Sequence, residues 1–373
     1  MQTVGQGWLV LSLTNSPFKL GLVGMAGSLP ILLFTLWGGV VADRVNKRNL
    51  ILFTQSSAMT LAFILAALTS FKVVQVWHIV MLAFLLGTVN SFDTPSRQAF
   101  IVEMVGKEDL TNAIGLNSAM FNTARMVGPA IAGLLIAALG VAGCFWLNGV
   151  SFIAVIIGLA LIRNTFQPER RGGGSPFKNL IEGLRYLWAH KVLLAIIANV
   201  GVSSIFGMPY AMLMPVFAKQ ILKGGPSIYG VLLAAAGAGA IVGGLTVATR
   251  GARVRQGTYI LFGSGLFAVF IFLFSFSHWL WLSLVLLFVA GFAMITQNVT
   301  TNSLLQSAVP DFLRGRIMSV YALVFLGMFP LGSLQAGSVA QVLGAPWAVR
   351  IGAVICGLFA LFLWRIPEIR KLR

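Results

Sequence analysis

Long apolar runs constrain this chain more than any other feature. A bilayer's hydrocarbon core of about 30 Å takes roughly 20 residues of α-helix to cross, and runs of about that length recur from end to end. They cover about 1–14, 20–42, 50–70, 76–92, 112–137, 143–162, 192–218, 227–249, 258–276, 279–300, 317–341 and 347–364. Only 9% of the 373 residues are charged, against 58% hydrophobic. A soluble protein carries roughly 25% charged residues, so this inventory cannot dress a water-facing surface. An outer-membrane barrel reads as segments of about ten alternating residues, and the runs here do not alternate. The expectation is an all-α integral membrane protein of twelve helices, the first of them short. No nucleophile, base or metal constellation stands out, and no phosphate-binding loop. An enzyme, a nucleotide-driven pump and a bound cofactor are therefore not expected.

A net charge of +17 would point to nucleic acid in a soluble domain. In a membrane chain what matters is the side on which the basic residues sit. If the runs alternate in direction, the stretches 44–48, 97–107, 163–191, 250–255, 314–316 and 365–373 face one side and hold 20 of the 26 Lys and Arg. Lys19, Lys72, Lys219, Lys223 and Arg350 face the other, and Arg125 falls inside a run. The positive-inside rule places the first set, and the C-terminus, in the cytoplasm. The basic excess is thus a topology signal, and nucleic acid is not an expected partner. Trp77 with His78, and His278 with Trp279 and Trp281, fall at the opposite ends of their runs. Such rings anchor at the headgroup level; a proton relay through either histidine is the alternative. Cys144 and Cys356 lie within apolar runs and read as packing residues. The N-terminus has neither the basic region nor the cleavage site of a signal peptide.

Laid on itself at a shift of 204 residues, the chain pairs Gly39 with Gly243, Phe63 with Phe267, Trp77 with Trp281 and Gly87 with Gly291. The same shift pairs Val105 with Val309, Gly128 with Gly332, Gly133 with Gly337 and Gly140 with Gly344. Glycine matches are cheap singly, but a constant register over five segments is not. It implies two six-helix bundles, 1–162 and 192–373, with a substrate path between them near the midplane. The stretch 163–191, with its Gly172-Gly173-Gly174 run amid charge, reads as a cytoplasmic linker followed by an amphipathic turn of helix. Pro17 and Gly21 match Pro226 and Gly230 at a shift of 209. On either register the head of the first helix is expected to lie ahead of Met1, which reads as a truncated first helix.

Two motifs carry chemistry. The loop after the second run reads Gly39-Val-Val-Ala-Asp43-Arg44-Val-Asn46-Lys47-Arg48. A glycine lets two helices approach, Asp43 can pair with a cation or a helix N-terminus, and the basic residues hold one end of the bundle. Asn46 can take a left-handed turn where a glycine would. The fifth run reads Gly115-x8-Ala124-x3-Gly128-Pro129-x2-Ala132-Gly133. Its small residues allow close helix contact, and Pro129 removes a backbone hydrogen bond. The first motif resembles the gating signature of the major facilitator superfamily, with Asn46 in place of its second glycine. The second resembles the fifth-helix motif of drug/proton antiporters in that superfamily, with two glycines replaced by alanine. The stretch from Asp93-Thr-Pro95-Ser-Arg97-Gln98 through Asn112, Asn117, Asn122, Arg125 and Gly128-Pro129 to Cys144-Phe145 and Asn148 resembles the branch that includes the enterobactin exporter and bacterial macrolide efflux proteins. The resemblance implies a twelve-helix carrier whose gating loop latches the two halves in the outward-open state and whose fifth-helix motif goes with export. The fourth run departs from many proton-coupled relatives in having no arginine at its core.

Within the runs, polar residues are few. Asn117, Asn122 and Arg125 fall within a 140° arc of a helix at 100° per residue, a stripe that is costly to turn to lipid. It is expected to face the central path or to tie Arg125 to Asp93. Gln297 and Asn298 are candidates for the opposite wall. All nine acidic residues are expected in loops or at helix ends, which leaves Asp43 and Asp93 as latches before they are proton carriers. The function expected is secondary active export of a small amphipathic compound, drug- or siderophore-like, across a bacterial cytoplasmic membrane by alternating access. Protons are the coupling ion that the resemblance implies; the bilayer and the small molecule are the other partners, and the chain is expected to be monomeric. The alternatives are a lysophospholipid-type lipid transporter, or a membrane receptor or assembly protein that keeps the fold without transport.

Overall fold

The computed structural model describes residues 1–105, 109–162, 176–250 and 255–372, without the side chains of Leu36, Arg250 and some residues in the first half of the fifth helix and in the linker. They form α1 (Gln2–Thr14), α2 (Pro17–Arg44), α3 (Lys47–Ser70), α4 (Val76–Val105), α5 (Leu110–Leu161), α6 (Pro176–Ala189), α7 (Lys191–Val202) and α8 (Tyr210–Val216). There follow α9 (Pro226–Arg250), α10 (Gln256–Phe274), α11 (Leu280–Ala308), α12 (Asp311–Gly327), α13 (Phe329–Leu343), α14 (Ala345–Trp364) and α15 (Pro367–Lys371). No strand occurs among the described residues.

Ten stretches are long and apolar enough to span a bilayer, and two features reconcile that number with twelve runs. The 13-residue α1 is too short to count, and α5 is two spanning arms joined at Gly140. There φ is 73°, a left-handed value that opens the helical ladder and turns the chain back. Gly344, 204 residues on, has φ 90° at the corner between α13 and α14. The repeat therefore places its two positive-φ glycines at equivalent turns. Two other spans are broken. Residues Lys191–Ile221 run through α7, a π-turn at Ser203–Gly207, α8 and a second π-turn at Phe217–Ile221, and α12 gives way to α13 at Met328.

Packing follows the repeat. In the first bundle α2 lies along α4 and α3 along α5; in the second, α9 lies along α11 and α10 along both α11 and α14. The bundles meet along α2 with α13 and α5 with α9. One core holds Leu11, Leu65 and Phe145 of the first bundle together with Phe217, Leu232 and Phe267 of the second. Cys144 and Cys356 are both buried in packed helices. Large apolar side chains such as Trp37, Phe53, Leu134 and Leu361 stay exposed around the outside, as a lipid-facing belt requires.

Three expectations need correction. The fourth run ends near 92 by hydropathy, yet α4 continues to Val105, so Asp93 is not at a helix end. It lies inside α4 and is 6% exposed, its burial offset by hydrogen bonds to the carboxylate from Thr54 and Gln55 of α3. Asn46 is not left-handed: with φ −64° and ψ 115° it is the N-cap of α3, and its side chain accepts a hydrogen bond from the Asn49 backbone N at 3.1 Å. The close helix approach is made by Gly38 and not by Gly39. A Cβ on Gly38 would lie 2.2 Å from the Ser91 carbonyl oxygen, whereas nothing lies within 4 Å of one on Gly39.

Candidate functional site: a cavity between two glycine seams

Between the bundles lies a cavity of about 660 Å³. The first bundle contributes Gln6, Gly24, Ser28, Asn90, Gly128 and Pro129, and the second contributes Met208, Tyr210, Met212, Tyr229, Met294 and Phe329, among others. Asp, Glu, Lys, Arg and His are absent from the described lining. Methionine and aromatic side chains give such a wall a surface that reshapes around different ligands.

At the rim that carries few basic residues, two close helix crossings seal the cavity. Between α2 and α13, a Cβ on Gly21 would fall 2.6 Å from the Ser333 carbonyl oxygen and 3.0 Å from Gly337 Cα. Between α5 and α9, a Cβ on Gly133 would fall 2.6 Å from the Pro226 carbonyl oxygen and 2.9 Å from Gly230 Cα. Backbones this close exclude every side chain but glycine's hydrogen, which is what small residues are for at membrane helix crossings. The seal has polar reinforcement. Ser16 Oγ donates to Gln341 Oε1 at 2.6 Å, which also accepts from the Phe18 backbone N, and Lys219 Nζ donates to Asn15 Oδ1 at 2.7 Å. The Trp8 ring stacks on Tyr229 with centroids 6.3 Å apart.

At the basic rim the polar contacts stay within each half. Lys47, 9% exposed in its side chain, is paired with Glu103 of α4. Arg48 donates from Nε to the Leu159 carbonyl at 2.8 Å and from a terminal nitrogen to that of Ala160 at 2.6 Å, satisfying the C-terminal end of α5. Asp93 accepts from Thr54 Oγ1 at 2.7 Å and Gln55 Nε2 at 2.8 Å, and pairs with Arg97 at 2.7 Å. In the second half Arg316 of α12 is paired with Glu182 of α6. Asp43 and Arg44 are exposed, and Asp43 has no hydrogen-bond or ion-pair partner among the described residues. Among the described residues, every hydrogen bond from one bundle to the other is at the opposite rim.

The structure brings Gly128, Pro129 and Gly133 of the fifth-helix motif to the cavity wall and the α5–α9 seam. Gly115, Asn122 and Arg125 lie outside the described residues, and with them the expected stripe and the Arg125 tie to Asp93. Asn117 is half-buried and does not line the cavity. Gln297 and Asn298 do not line it either: Gln297 is buried inside the second bundle, where its Nε2 donates to Ser203 Oγ at 3.0 Å. Its place in α11 puts it against the π-turn of the seventh span, so its polarity serves that broken helix. His78 accepts from the Gln75 backbone N at 3.0 Å and stacks beside Trp77, 3.8 Å between centroids, as a helix-start anchor. Gln6, Ser28, Asn90 and Tyr229 are lining residues that the sequence reading passed over; the cue was Tyr229 beside Gly230, one of the glycines matched by the repeat.

A family model described as transmembrane secretion effector, within the major facilitator superfamily, matches residues 1–372. The staphyloferrin A transporter of Staphylococcus aureus is 28% identical over 345 residues, 91% of this chain and 85% of the relative. The multidrug efflux pump Tap of Mycolicibacterium fortuitum is 28% identical over 382 residues, 97% and 91% of the two chains. Among solved structures, a bacterial homologue of the human lysosomal transporter Spinster, inward-facing and unoccupied, superposes with a TM-score of 0.74 at 15% identity over 99% of this chain and 93% of its own. That likeness carries the fold alone. A whole-length family match on two six-helix bundles around a central cavity thus makes this chain a transmembrane secretion effector of the major facilitator superfamily, a multi-pass bacterial membrane transporter and not an enzyme.

Proposed function

We propose that this transporter exports a small amphipathic compound, drug- or siderophore-like, from the cytoplasm by alternating access, with protons as the coupling ion. The observation that carries the reading is the cavity, sealed at one rim by two glycine crossings and joined by no described cross-bundle hydrogen bond at the other. The positive-inside rule makes the basic rim the cytoplasmic one, and on that reading the arrangement fits an inward-open state, ready to load from the cytoplasm. The free Asp43 carboxylate fits that state, because its latch would engage when the cytoplasmic rim closes. The apolar, methionine-bearing wall suits an amphipathic cargo, and a siderophore transporter and a drug pump are both among the relatives. Asp93 is the one buried carboxylate among the described residues; held by Thr54, Gln55 and Arg97 it ties α3 to α4.

Purified protein in liposomes tests the reading. An amphipathic drug should move away from the basic rim only while a proton gradient is imposed, and a protonophore should stop it. Movement that survives collapse of the gradient would remove proton coupling, and no vectorial movement for any of a panel of amphipathic drugs and siderophores would remove the carrier reading. Orientation has its own test: a cysteine placed at Ser175 should be shielded from an impermeant thiol reagent in intact cells, and labelling there would invert the topology.

A further inference from the structure

Two uncharged hydrogen-bond donors in the cavity wall have nothing to bond. Gln6 on α1 is 5% exposed, lines the cavity, and its side-chain Nε2 has no hydrogen-bond partner. Tyr229 on α9 is 4% exposed and lines the same cavity, and its hydroxyl has no partner among the described residues. They are neighbours across the bundle interface. Gly7, next to Gln6, is where a Cβ would sit 3.2 Å from the Tyr229 hydroxyl oxygen, and Trp8 stacks on the Tyr229 ring.

A buried donor left unsatisfied costs its desolvation, about 1–3 kcal/mol. Tyrosine and glutamine are replaceable in shape by phenylalanine and leucine or methionine, which carry no such cost. Gln6, whose Nε2 is buried without a partner, and Tyr229, whose hydroxyl has no described protein partner, line one cavity from opposite bundles, and a ligand that supplies acceptors accounts for both. We infer that Gln6 and Tyr229 form a donor pair at the closed end of the cavity that binds an uncharged oxygen acceptor, a carbonyl, lactone or hydroxyl oxygen, on the transported molecule. This deepens the export reading and rests on it for the word transported. The rest of the wall, with Met208, Met212, Met294 and Phe329, would take the apolar body of the same molecule. Position adds a consequence: Tyr229 adjoins Gly230 of the α5–α9 seam, so a ligand seated on the pair bears on the gate that must open to release it.

The test compares two probes on full-length protein in nanodiscs. Erythronolide B is neutral and rich in ketone, lactone and hydroxyl oxygens; tetraphenylphosphonium is a bulky lipophilic cation with no oxygen acceptor. Erythronolide B should bind, and Gln6→Leu and Tyr229→Phe should each weaken it about fivefold, the worth of one net hydrogen bond. Tetraphenylphosphonium binding should be unchanged or stronger in both variants. Without ligand, both variants should melt at or above the wild-type temperature, since neither loses a protein partner. Absence of erythronolide B binding to wild type, equal losses for both probes, or a lowered melting temperature without ligand would each overturn the inference. Its failure is separable from that of the export reading: tetraphenylphosphonium carried outward with no role for the pair sinks only the donor pair, whereas both probes bound as expected but never moved sinks only transport.

Discussion

The two rims of the molecule are held by different chemistry. At the sparsely charged rim the bundles touch backbone to backbone through Gly21 with Gly337 and Gly133 with Gly230, with a few hydrogen bonds beside them. At the basic rim the charges pair inside a bundle, Lys47 with Glu103 and Arg97 with Asp93, or fasten the linker helix, as Arg316 does with Glu182. A carrier that alternates must break its cross-bundle contacts each cycle and keep its intra-bundle contacts throughout. Van der Waals contact between glycine backbones is weak per atom and needs no rehydration of charge when it parts. A buried ion pair is costly to separate and suits a joint that stays made. The difference teaches where motion is designed to occur.

The largest effect expected is at the permanent joint. Glu103→Gln leaves the Lys47 ammonium, 9% exposed, without its carboxylate, and removal of one member of a buried pair costs about 3–5 kcal/mol. Thermal unfolding in detergent should show it, and adding Lys47→Met should return most of the loss because no charge is then stranded. A single variant as stable as wild type would mean that this pair is dispensable and the contrast between the rims is false.

The seams come next. A Cβ at Gly21 or Gly133 falls 2.6 Å from a carbonyl oxygen of the facing helix, and overpacking of this kind costs about 1–3 kcal/mol. That cost is borne only while the seam is shut, so it shifts the conformational balance toward the opened rim by roughly 5–150-fold. A short bifunctional thiol cross-linker between Ser16→Cys and Gln341→Cys reports the closed rim, since the native Ser16 Oγ and Gln341 Oε1 are 2.6 Å apart there. Gly21→Val and Gly133→Val should lower its yield to similar degrees. If one variant acts and the other does not, the two seams are not equivalent and only one is a gate.

The repeat in the sequence already contained those seams in part. Gly21 with Gly230 and Gly133 with Gly337 are the matched positions, and in the fold each matched position meets the partner of the other. Sequence comparison found that the positions were related and could not tell that they touch, because contact depends on a two-fold axis that no one-dimensional register contains. The spans, and the match of Gly140 with Gly344, were legible because they depend on hydropathy and a repeated register. The cavity wall was not. Gln6, Ser28 and Asn90 are polar residues scattered singly along apolar helices, and which face each one turns inward is decided by packing. Gln297 misled for the same reason: its polarity looked like a lining residue, and it bonds to the Ser203 hydroxyl inside its own bundle.

The smallest effect on stability, and the sharpest on function, is expected at Asp43. Its carboxylate is exposed and has no described partner in this state, so Asp43→Asn should change unfolding free energy by no more than about 0.5 kcal/mol, as for surface sites generally. The latch reading gives the same residue a partner only after the basic rim closes. Loss of its charge would then depopulate that closed state by about 1–3 kcal/mol, leaving the sparsely charged rim shut more of the time. Cross-linking yield between Ser16→Cys and Gln341→Cys should therefore hold or rise while export in liposomes falls. A variant that exports at the wild-type rate at matched expression would show that the basic rim closes without Asp43, and the latch reading of that residue would fall.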